Sequence, residues 1–99
     1  MSISIKTLSN NEYEVRVKSK TVTTHLVTLS DEVYTNLTNN KVTKEELLDF
    51  SFKFLLDREP NTSIMTSFEL TVISRYFLDY KKSVKKWCNS WHRFDTVEQ

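Results

Sequence analysis

Polar and apolar residues alternate strictly through Tyr13, Glu14, Val15, Arg16 and Val17, the period-two signature of a strand with one buried and one wet face. Residues 21 to 29 follow, rich in Thr and Val around His25 and Leu26, and such β-branched side chains favour extended backbone. Only Lys18, Ser19 and Lys20 separate the two runs, so they are expected to pair as an antiparallel hairpin. An earlier stretch from Ile3 to Leu8, turning through Asn10 and Asn11, offers a third strand. After Leu29 the period changes. Ser30 is placed to cap a helix over residues 31 to 38, which opens with Asp31 and Glu32 where the helix dipole favours acids. Asn39 and Asn40 end it, because asparagine tolerates left-handed backbone better than most residues. Thr43 and Glu46 have the spacing of a capping box for a second helix over residues 44 to about 58, and Pro60 stops that helix by forcing Glu59 out of the helical region. Residues 61 to 67 read as a turn or a single helical turn carrying Ile64 and Met65. From about residue 70 to 92, Ile73, Phe77, Tyr80, Val84, Trp87 and Trp91 step by four, three, four, three and four, a heptad seam if the helix is unbroken. The pattern predicts one α+β domain over residues 1 to 99: an N-terminal antiparallel hairpin or three strands over about 3 to 29, then three or four helices.

The second helix carries the strongest constraint. Glu45, Asp49, Lys53 and Asp57 recur every four residues as a single polar ridge, flanked by Leu47, Phe50 and Phe54 on one side and Leu48, Phe52, Leu55 and Leu56 on the other. A surface helix hides an apolar stripe of roughly 100°, and this one is apolar over much more of its circumference. It needs cover on two sides, supplied either by a central position in its own fold or by a partner chain. At about 25 cal/mol per Å² of apolar burial, a wet second face would forgo much of the stability of a small domain. The expectation is a homodimer.

Composition removes whole classes of chemistry. The chain has 99 residues, no glycine and one proline, so the phosphate loop, the dinucleotide fingerprint, the nucleophile elbow and the calcium loop are all excluded. Net charge is +1, but residues 75 to 93 carry six Lys and Arg against Asp79 alone. Cys88 stands alone, so no intrachain disulfide can form, and a reduced, cytoplasmic setting is expected. No apolar run approaches the roughly 18 residues of a membrane span, and residues 1 to 6 lack a signal-peptide core.

Candidate chemistry is sparse. Cys88 and His92 lie four apart, as a metal pair on a helix would, but His25 is the only other histidine, so no metal site or cofactor is expected. Cys88 has no base at a telling spacing, and Glu45, Glu46 and Asp49 suit a helix start better than acid-base work. No catalytic residue is assigned. The segment from Lys81 to Phe94 interleaves cations with rings, and Lys81, Lys82, Lys85, Lys86, Trp91 and Arg93 are the candidate contacts for nucleic acid or a protein partner. The plainer alternative is that the tryptophans pack inward and the lysines solvate the outer face.

Two resemblances add to this. Ser51 to Pro60, with Ser63-Ile64-Met65 and Phe68 to Phe77, resembles a group of small uncharacterised bacterial proteins over roughly residues 13 to 80, which implies no activity. In that group a proline often follows the Tyr-Phe pair, where this chain has Leu78. Residues 24 to 58 resemble the ribbon-helix-helix regulators, which would imply a dimer formed by strand pairing, with Thr24 and Thr28 facing DNA. A leucine between those threonines, Leu26, is a poor base reader. The function expected is therefore a non-enzymatic binding module, homodimeric, with a nucleic-acid-binding regulator as the alternative.

Overall fold

The computed structural model describes residues 2–97 and the side chains of residues 2–90. Three antiparallel strands open the chain: β1 (Ser2–Thr7), β2 (Glu12–Lys18) and β3 (Val22–Thr28). Their register sets Tyr13 opposite Val27, Val15 opposite His25 and Val17 opposite Thr23, so the inward set of every strand falls on one face. Tyr13, Val15, Val17, His25 and Val27 are all buried there, while Lys6, Arg16, Lys18 and Thr24 point to solvent. The expected α+β architecture, with its third strand, is what the chain forms.

Helix α1 (Asp31–Thr38) is capped as its sequence predicts: Val33 N–H donates to Ser30 Oγ at 3.2 Å, and Asn39 turns the chain at φ 52°. Asn40 follows at φ 61°, and its side-chain oxygen accepts from Thr35 Oγ1 at 3.0 Å. The capping box of α2 (Lys44–Leu56) is complete, with Glu46 N–H on Thr43 Oγ1 at 3.0 Å and Thr43 N–H on Glu46 Oε1 at 2.8 Å. The helix ends at Leu56, two residues short of the expected limit, and Arg58 and Glu59 N–H close the last turn on Leu55 O.

A helical turn at Asn61–Ser63 leads to β4 (Ser67–Glu69), a short strand parallel to β3 that completes the sheet order β1-β2-β3-β4. The sequence pattern did not predict this strand. Three residues are too few to show a period, and its pairing partner lies about 40 positions upstream.

The helical stretch expected over about 70 to 92, whose continuity through Leu78 the sequence leaves open, is two helices, α3 (Ile73–Tyr76) and α4 (Tyr80–Val97), so the seam does not run unbroken. Phe77 is extended at φ −129°, ψ 99°. Tertiary contacts hold the break. Arg58 ion-pairs with Asp79 at 2.8 Å, and Phe77 packs edge-on against Phe54 at 5.9 Å. Asp79 stands just before α4, where a carboxylate favours the helix dipole. Burial of aromatic surface here outweighs the one or two helical hydrogen bonds forgone, each worth about 1 kcal/mol net.

Helix α2 is the centre of the molecule. On one side Phe52 meets His25 (5.4 Å) and Phe68 (6.1 Å) at the sheet; on the other Ser51, Phe54 and Phe50 meet Tyr80 and Trp87 of α4. Leu47, Leu48 and Phe52 have no exposed surface, each stabilising the fold by about 1.5–3 kcal/mol. Phe50 and Leu56 are half-buried, and the polar ridge is the one wet strip, closed by an Asp49–Lys53 ion pair at 2.9 Å. Most of the cover that this helix demands is therefore intramolecular, with Phe50 and Leu56 left partly exposed.

Candidate functional site

Helix α4 buries Tyr80, Val84 and Cys88 at successive steps of four, which turns Lys81, Lys82, Lys85 and Lys86 outward together. Among the described residues none of the four is ion-paired to a carboxylate. Trp87 belongs to the packing: its ring stacks on Phe50 with centroids 4.4 Å apart and planes 13° apart, leaving it half-buried. Trp91 and Arg93 lie outside the residues whose side chains are described. The fold adds a cation that spacing could not reveal. Lys41, in the turn between α1 and α2, reaches α4 by donating from Nζ to Asn89 Oδ1 at 3.4 Å. A shallow groove of about 560 Å³ runs between α2 and α4, with the Phe50–Trp87 stack in it and Lys53, Asp57 and Lys86 beside it.

This face is locally unfavourable. Lys81 and Lys85, like Lys82 and Lys86, are like charges at i,i+4, each pair costing the helix about 0.2–0.5 kcal/mol. A glutamate at any of these sites would convert repulsion to attraction.

A second feature lies at the C-terminal end of α2. Leu55, Ile64, Phe68 and Ile73 form an apolar cleft of about 440 Å³, with Met65, Tyr76 and Phe77 at its sides and Glu59 and Ser63 completing its lining. Its wall is held by a buried polar network. His25 Nδ1–H donates to Met65 O at 2.7 Å, and since a carbonyl only accepts, this fixes the proton on Nδ1. Nε2 meets Thr23 Oγ1 at 2.8 Å, and Asn61 Nδ2 donates to that same oxygen at 3.0 Å and to Thr21 O at 2.8 Å. The 61–65 segment is thereby tied to β3.

The remaining chemistry-bearing groups sit within the packing. His25 and Cys88 do not meet: α2 stands between the strand of one and the helix of the other. Cys88 is buried, and burial pushes its thiol up, with Lys41 opposing. Tyr80 is fully buried, its O–H donating to Ser51 Oγ at 2.6 Å while Ser51 donates to Leu47 O at 2.7 Å; desolvation raises its pKa far above the ordinary phenol range. Among the described residues no three His, Cys, Asp or Glu side chains converge to hold a metal, and no helix is long and apolar enough to cross a membrane. Strand β3, which a ribbon-helix-helix arrangement would place between two chains, is an interior strand, paired along its length with β2 and at Leu26–Thr28 with β4. Thr24 and Thr28 do lie on the outer sheet face, with Leu26 37% exposed between them.

No protein-family model, curated protein or solved structure matches this chain.

Proposed function

We propose that this protein is a non-enzymatic, cytoplasmic binding module whose contact surface is the lysine face of α4, and that its partner is a nucleic acid. The observation that carries the reading is the set of four exposed lysines on one helix face, joined by Lys41 and in no ion pair with an acid among the described residues. Phosphates supply the missing negative charge, and the half-exposed Phe50–Trp87 stack beside Lys86 offers an aromatic surface to an unpaired base. The embedding of His25 and Cys88 in packing supports a non-catalytic role.

Fluorescence anisotropy of a labelled single-stranded oligonucleotide, read across a salt series, tests this. Four phosphate contacts give a slope of log affinity on log salt of about −3, from roughly −0.7 per contact. Replacing Lys81, Lys82, Lys85 and Lys86 by alanine should remove most of that slope. Salt-independent affinity, or a slope unchanged in the variant, overturns the reading.

Self-association is a second reading, based on the edge of β1 and the part of α2 beside it. The outer edge of β1 is unpaired over six residues, and Ile3 and Leu56 line an opening beside it. Pairing of β1 with its copy across a two-fold axis would cover both. Sedimentation equilibrium should then show a dimer, and a monomer up to millimolar concentration eliminates this reading.

A further inference from the structure

From the cleft at the end of α2 we infer a second site, separate from the lysine face: it binds a small organic cation, an ammonium group on a short apolar body. Size is the first argument. A volume of about 440 Å³ falls in the range of small-ligand pockets, roughly 300–1,000 Å³. The apolar floor is rigid, since Leu55, Ile64, Phe68 and Ile73 are all at most 8% exposed and belong to the core. The entrance is unusually apolar for a wet surface, with Tyr76 67% and Met65 39% exposed.

Charge decides the ligand class. Glu59 is the one charged residue of the lining, it is half-buried, and among the described residues its carboxylate has no cationic partner. Arg58, the residue before Glu59, is held by other groups: it pairs with Asp79 at 2.8 Å, donates to Phe54 O at 3.0 Å and lies over the Phe54 and Phe77 rings at 3.6 and 5.9 Å. Of the rings that line the cleft, Tyr76 is the exposed one, at 67%. A carboxylate and the exposed Tyr76 ring beside an apolar floor select a cation with an apolar body: the ammonium takes Glu59 and the Tyr76 ring, and the body fills the floor. An anion of the same shape would be repelled.

The test is a methyl-detected NMR titration of the full chain with 2-phenylethylammonium, against 2-phenylethanol and 3-phenylpropionate as neutral and anionic shape controls. Saturable shifts at Ile64, Met65 and Ile73, with the amine bound about fivefold more tightly than the alcohol and the propionate weakest, support the site. Glu59→Gln should abolish the preference for the amine while leaving the alcohol bound, and Tyr76→Ala, a change at an exposed ring that leaves the core intact, should weaken the amine. No saturation, equal affinity for amine and alcohol, or a preference that survives Glu59→Gln overturns it. Shifts confined to Lys81–Lys86 also overturn it. None of these results bears on the lysine face, whose reading stands or falls on oligonucleotide binding.

Discussion

Ser51 and Tyr80 form a two-residue relay whose asymmetry gives the sharpest stability prediction. Both side chains are fully buried, and the relay runs Tyr80 O–H to Ser51 Oγ (2.6 Å) and Ser51 O–H to Leu47 O (2.7 Å). Tyr80→Phe removes one hydrogen bond but leaves Ser51 donating to Leu47, a loss of about 0.5–1.5 kcal/mol. Ser51→Ala instead strands a phenolic hydroxyl in the core and should cost more, about 1–3 kcal/mol. The double variant has no stranded group, so it should be more stable than the sum of the single losses implies, with a coupling of about 1 kcal/mol. Urea denaturation followed by circular dichroism measures all three, and each kilocalorie corresponds to roughly 4–8 °C in Tm for a domain of this size. A pH series adds an independent arm. Burial raises the folded pKa of Tyr80 above its ordinary 10.0, so above about pH 10 the unfolded chain holds fewer protons than the folded one and stability falls as pH rises. Tyr80→Phe should lose stability less steeply above that pH than the parent. Ser51→Ala costing no more than Tyr80→Phe, additive losses in the double variant, or identical alkaline slopes would refute the relay.

The local devices give further expectations. Thr43→Ala breaks the capping box of α2 and should cost about 1 kcal/mol in urea denaturation. Asn39→Gly should be neutral or slightly stabilising at φ 52°, whereas Asn39→Val should destabilise by about 1–2 kcal/mol; equal stabilities of the two would contradict the left-handed cap. Asn61→Ala removes the donor that serves Thr21 O and Thr23 Oγ1, so it should lower Tm and speed amide exchange over residues 61 to 66 before the rest of the fold.

Features governed by neighbours in sequence were legible without coordinates. Ser30, Asn39, Thr43 and Glu46 announce both helix boundaries because capping is decided within four residues, and the alternation from Tyr13 to Val17 announces the buried face of β2. What depends on distant partners was not. The break at Phe77 comes from Phe54 of another helix and Arg58 just past that helix's end, and β4 exists only because β3 lies beside it. The apolar circumference of α2 correctly demanded two covers, but the pattern left open whether they belonged to one chain, and Tyr80 and Trp87 supply the second. Of the candidate contacts, Lys81, Lys82, Lys85 and Lys86 share one exposed face as a helical reading of 81 to 86 implies, whereas Lys41 joins them only through the fold. The cleft at Glu59 was invisible in sequence, since its lining is gathered from α2, the 61–65 segment, β4 and α3.

The most direct test of the account is where a polyanion lands on the molecule. Titration of the nitrogen-labelled chain with a short single-stranded oligonucleotide at low salt, followed by amide and lysine side-chain shifts, should perturb residues 81 to 89 and Lys41 while leaving the outer sheet face at Arg16, Lys18 and Thr24 unmoved. Shifts concentrated on that sheet face, or spread evenly over every exposed lysine, would contradict it.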